Sequence, residues 1–275
     1  MKSFSIFKGA RGAIGTMNVT AEPRYNFVIQ TTNQIRERLL KEKLLRQPFL
    51  DLLTMVHKDD FKFRSSLPTD ADVINFITNA FPDIYLLHGW LASDGADWDY
   101  TLTGQGEANK EYISIGWFVI TLWEQSQSSL DLAFLSRMIF MFMTGLLREA
   151  AHSALWWYVR GACDSPHLGE IGREAGNFME RQLWDGILEA EFEDNTMDLV
   201  DIGIMKNGLF FPIDAKVAQS LIMLNLSNGL PLLDTSALSA APPIVVDHTC
   251  SKLLPAIGTA TSQHPVPTLK KVLES

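Results

Sequence analysis

The run DLAFLSRMIFMFMTGLLREAAHSALWWYV, residues 131 to 159, constrains the fold more than any other segment. It contains no proline and is apolar on most sides, the pattern of a helix crossing a core rather than lying on a surface. Such a helix has to be enclosed by other elements. Arg137, Arg148, Glu149 and His152 interrupt the run too often for the roughly 18 uncharged residues that a membrane crossing needs, so no membrane span is expected. Met138, Phe140, Met141, Phe142 and Met143 read as irregular core filling.

With 275 residues, 47% of them hydrophobic, there is enough material around such a helix for a sizeable core. The formal charge of -9 opposes binding to a phosphate backbone, which requires a basic face, and nucleic acid is not an expected partner. Cys163 and Cys250 are the only cysteines, too few and too far apart for a disulfide framework or a thiolate zinc cluster. A reducing, cytoplasmic setting is expected. The alternative is mitochondrial, because Lys2, Lys8 and Arg11 precede the first acid, Glu22, as in a presequence.

Elsewhere the pattern alternates between helix and strand. A surface helix is expected over 31 to 46, with Ile35, Leu39, Leu40 and Leu44 as its stripe, and a short one over 67 to 82, capped by Thr69 or Asp70 and stopped by Pro82. IYLLHGWL, after Asp83, reads as a strand or irregular edge, and EYISIGW as extended. LEAEF, LVDIGIM and LFFPI read as strands, the last two joined at Asn207-Gly208 by a tight hairpin turn. Asp214 caps a further helix. The acids Glu189, Glu191, Glu193 and Asp194 alternate as on the solvent side of a strand. GARGAIG (9 to 15) and GQGEANK (104 to 110) match neither a dinucleotide fingerprint nor a P-loop. These signals divide the chain into an N-terminal extension (1–30), a helix-rich domain (31–230) and a partly extended or disordered tail (231–275).

Within the long run, REAAH nearly spells His-Glu-x-x-His. In a helix, ligands at i and i+4 share a face, and a glutamate at i+1 reaches the metal-bound water as general base. Glu149 and His152 hold the base and second-ligand positions. Arg148 stands in place of the first ligand, and its permanent positive charge cannot coordinate a cation. The bland alternative for His152 is a core histidine bonded to a backbone carbonyl or a carboxylate.

LLREAAHSALWW, followed 22 residues after His152 by REAGNFMERQLWDG, resembles a group of fungal hypothetical proteins with a zincin-like core, in which HExxH precedes a Gly-Glu-Ala-Gly type helix. The resemblance covers about residues 110 to 215. It implies a metallopeptidase-like arrangement with His152 as second ligand, Glu149 as general base and Glu174 as the third, gluzincin-like ligand. Glu180 is the competitor of Glu174, and His167, in the loop DSPHLGE, is a candidate replacement for the missing ligand. It also implies no cofactor, or weakly held zinc at most, and a peptide or protein as ligand.

A carboxylate among such apolar neighbours as Leu146, Leu147 and Trp156 needs a partner. Arg148 is the natural one, its guanidinium standing roughly where the metal would stand, neutralised by Glu174 or Glu180. The expected architecture is therefore α+β and helix-rich, with a zincin-like core and a small β-sheet. The expected function is that of a degenerate zincin metallopeptidase-like protein without efficient zinc hydrolysis, with a peptide-binding cleft retained. An active zinc metallohydrolase with an unconventional ligand set and a non-catalytic helical scaffold or interaction protein are the alternatives.

Overall fold

A computed structural model describes residues 1–10, 17–59, 66–88, 96–97, 112–116, 131–159, 175–192 and 199–239. The fold is α+β and helix-rich, with two small sheets where one was expected. The first sheet has the order β2-β1-β3-β5-β4, from β1 (Ile6–Ala10), β2 (Met17–Asn18), β3 (Asp83–His88), β4 (Ala96–Asp97) and β5 (Tyr112–Gly116). Its central strands β1, β3 and β5 are parallel, and β2 and β4 pair antiparallel at the two margins. IYLLH thus lies at the centre of a sheet rather than at an edge. The register explains its apolarity: Ile6, Ile84 and Ile113 align across three strands, and all three are fully buried. On the opposite face, Phe7 stacks on Tyr85 at 4.9 Å and Tyr85 meets Tyr112 edge-on at 4.1 Å.

The parallel crossover from β1 to β3 carries α1 (Asn26–Lys41), α2 (Lys43–Asp59) and α3 (Asp70–Asn75). The helix expected over 31 to 46 is broken at Glu42, whose backbone is extended, and continues as α2 in a new direction. Arg46 folds back across the break to cap the end of α1, donating to the carbonyls of Leu39 and Leu40 at 2.7 and 2.9 Å, and Asp70 holds its other side. α1 is also less superficial than expected, burying Phe27, Val28, Ile35 and Leu39. At α3, Thr69 and Asp72 form a capping box, and the helix passes into a wider turn over Phe76–Ala80 before Pro82.

The described part of residues 1 to 30, expected as an extension, contributes to the core. Phe4, Ile6, Val19, Tyr25 and Val28 are all buried in it. The alternating signal of β1 spans only a few residues, so its membership of a sheet depends on β3, nearly eighty positions away.

α4 (Leu132–Val159) is the 28-residue helix anticipated from its apolar run, capped by Asp131, whose side chain accepts from Ala133 and Phe134 N–H. α5 (Ala175–Trp184), α2 and α6 (Ala215–Ile222) pack on it. Phe140 and Phe142 lie inside, as do Met138 and Met143. No helix among the described residues is long and apolar enough to cross a membrane.

The second sheet, β6 (Ile187–Phe192), β7 (Leu199–Lys206) and β8 (Leu209–Pro212), is antiparallel throughout. Asn207 and Gly208 have φ of 53° and 75°, the two positive values that a tight hairpin turn requires and that Asn-Gly adopts most easily. Asp214 caps α6 by accepting from Val217 N–H at 2.7 Å. Residues 231 to 239, expected to begin a loose tail, instead bury Leu233 and Thr235. Positions 240 to 275 lie outside the described residues, as do most of GARGAIG and all of GQGEANK.

Candidate functional site at the α4–α5 crossing

The near-motif lies at mid-length on α4, where the helix meets α5. Arg148 is 0% exposed, and Glu149 and Glu180 are each 1% exposed. Nη1 of Arg148 donates to Glu180 Oε1 at 2.9 Å and to Asn177 Oδ1 at 2.7 Å. Its Nε lies 3.6 Å from Glu149 Oε1. The second oxygen of Glu180 accepts the N–H of Leu188, in β6, at 2.6 Å. One carboxylate thereby joins a helix, a second helix and a strand.

The local sequence of α5 permits this approach. Asn177 and Glu180 are one turn apart and share the face toward α4. Gly176 precedes them, and a Cβ at that position would fall 2.3 Å from Cγ of Arg148. Only a residue without a side chain lets the arginine lie across the helix. His152, one turn along α4 from Arg148, also meets Gly176: its Nε2 accepts the Gly176 N–H at 3.3 Å. The histidine therefore answers a donor in the first turn of α5.

The electrostatics follow from burial. Desolvation, reinforced by the adjacent Arg148 charge, lowers the pKa of His152 to about 3, so the ring is neutral across the physiological range. Burial pushes the Glu180 carboxyl above its ordinary value, against the opposing pull of Arg148 and the Leu188 N–H. Glu189, on β6, is only half-buried, yet desolvation and the neighbouring Glu180 charge raise its pKa too. Its partial burial is a difference from the wholly solvent-facing alternation expected of LEAEF.

Of the residues singled out in the sequence, Arg148, Glu149, His152 and Glu180 come together. Glu174 and His167 lie outside the described residues. Asn177 and Gly176 belong to the same cluster and were not singled out. The spacing Gly-Asn-x-x-Glu is the signal that could have found them, because it sets a small residue, an amide and an acid on one helical face. Among the described residues, no group of three or more His, Cys, Asp or Glu side chains is arranged to hold a metal ion. The arrangement can neutralise a buried cation and fix the crossing of two helices. No protein family, curated protein or solved structure matches the chain.

Proposed function

We propose that the protein is a degenerate zincin metallopeptidase-like protein, without efficient zinc hydrolysis, whose remaining role is the binding of a peptide or protein ligand. One observation carries this reading: a guanidinium occupies the first-ligand position of a near-HExxH helix and is neutralised by a carboxylate from the following helix at 2.9 Å. A fixed positive charge among acceptors that would otherwise hold a cation supplies the electrostatic requirement of the site without supplying an activated water. The lone pair of His152, engaged with Gly176, supports the same reading. The scarcity of cysteine supports a cytoplasmic setting.

Zinc content is the test. The purified wild-type chain is expected to contain zinc well below one equivalent, and one tightly held zinc per chain would overturn the reading in favour of an active metallohydrolase. Arg148→His restores the missing ligand type and is expected to raise zinc affinity roughly a hundredfold or more over wild type. A folded Arg148→His variant with no such gain favours a helical scaffold that never descended from a metal site.

A further inference from the structure

The corner between α5 and β6 holds a second polar cluster, remote in sequence from the near-motif. Asp185, with a φ of 63°, ends α5 and turns the chain toward β6. Its Oδ2 accepts from Thr235 Oγ1 at 2.7 Å and from the Lys206 ammonium, which also donates to Thr235 at 3.1 Å. Three distant parts of the chain meet there: a helix end, the end of β7 beside the hairpin turn, and residues 230 to 239. That last segment has one backbone bond to α5, from Leu232 N–H to the Leu183 carbonyl at 2.7 Å. Its apolar anchors are few, with Leu233 buried and Leu230, Leu232 and Leu238 only partly so. Gly229, immediately before it, has φ of 84° and accommodates a turn that a residue with a side chain would resist.

We propose that residues 230 to 239 form a detachable strap, hinged at Gly229 and clasped by Asp185, Lys206 and Thr235, that opens while the α4 core stays folded. Local opening is favoured where few apolar contacts and exposed polar bonds hold a segment. The clasp is open to water on one side, since Asp185 and Lys206 retain 25% and 35% side-chain exposure although Thr235 is buried, and of the apolar anchors only Leu233 is itself buried. α4, by contrast, is enclosed on most sides. Opening frees the Leu183 carbonyl at the C-terminal end of α5 from its bond to Leu232 N–H. The same corner lies between Glu180 and Leu188, so the clasp also steadies the turn that brings those two together. The inference is independent of any metallopeptidase-like ancestry.

Hydrogen exchange of the full chain, followed by mass spectrometry in a series of low urea concentrations, tests it. In wild type, exchange of residues 230–239 is expected to depend weakly on urea and that of α4 steeply, because local opening exposes little surface. In Lys206→Met and in Thr235→Val, exchange of the strap is expected to rise roughly tenfold with α4 unchanged. A strap whose urea dependence equals that of α4, or whose exchange is unmoved in both variants, overturns the proposal. The wild-type series decides the question even if a variant fails to fold.

Discussion

Helix α1 and the α4–α5 crossing bury arginine by opposite means. In the N-terminal half, Arg36 is 1% exposed and donates to neutral acceptors: the Ile77 carbonyl at 3.2 and 2.8 Å, and the Lys2 carbonyl at 2.9 Å. The rings of Phe4 and Phe81 cover it, with centroids 5.7 and 4.8 Å from its guanidinium carbon. In the α4–α5 crossing, Arg148 faces a carboxylate and an amide. Arg46 combines both solutions, with the Leu39 and Leu40 carbonyls on one side and both oxygens of Asp70 on the other. The difference follows from the carbonyls within reach, since Arg36 and Arg148 both lie inside their helices. Lys2 precedes β1 and Ile77 lies in the wide turn over Phe76–Ala80, where carbonyls are left to accept, and Arg46 meets the end of α1. Where α4 crosses α5, backbone carbonyls are consumed by the helices, and side chains neutralise the charge.

That contrast can be broken most directly at Glu180. Glu180→Ala removes the 2.9 Å partner of Arg148, leaving Glu149 at 3.6 Å, and takes the acceptor from Leu188 N–H; it should lower unfolding free energy in urea by about 3 to 5 kcal/mol. Pairing it with Arg148→Met should lose less than the sum of the two single changes. Additive losses would mean that the pair is not the unit described.

His152 supplies the next effect. Its folded pKa lies below its unfolded value, so the unfolded chain binds the proton more tightly; its contribution is present above about pH 6.5 and declines as pH falls toward about 3. Over that window the stability of wild type relative to His152→Gln, which keeps an acceptor for Gly176, should fall by up to ~1.4 kcal/mol per pH unit. Glu180 and Glu189, whose values are raised, act with the opposite sign and cancel in this comparison. A constant difference from pH 7 to 4 would show that the ring is not held neutral by the fold.

Smaller effects sharpen the comparison. Arg36→Met leaves neutral carbonyls rather than a stranded charge, and should cost about 1 to 3 kcal/mol, less than Glu180→Ala. Equal losses would erase the distinction between the two burial modes. Gly176→Ala should cost about 1 to 3 kcal/mol by pushing Arg148 aside, and much less in an Arg148→Ala background. Asp70→Asn, at a partly exposed carboxylate whose pKa is lowered chiefly by its hydrogen bond from Arg46, should cost about 1 kcal/mol or less, measured at pH 7.

How much of this was legible depended on range. The Asn207-Gly208 turn, the Asp214 cap and a cap at Thr69 or Asp70 are local, and each was readable because the residues that need the geometry also adopt it; Thr69 is the one that caps. The long helix was readable because its apolar pattern excludes most other structures. The break at Glu42 was not readable, since the bonds from Arg46 to α1 and to Asp70 form only in the folded chain. Nor was the central place of β3, because a strand's apolar pattern reports that both faces are covered but not which strands lie beside it. At the site, the need of Arg148 for a carboxylate was legible from its apolar surroundings. Glu174 and Glu180 are both candidates on sequence; Glu180 lies within bonding distance, and Glu174 is outside the described residues.

The sequence by itself determined the helical core, the hairpin and the presence of a charged near-motif inside an apolar helix, because each follows from periodicity or from the conformational preferences of a few adjacent residues. Tertiary structure decided that Ile6–Ala10 and Met17–Asn18 join the five-stranded sheet, that residues 231 to 239 dock on α5, and that His152 accepts from a backbone amide. Those outcomes rest on contacts between segments far apart in the chain, where burial fixes which polar group must answer which, and no local pattern encodes the match.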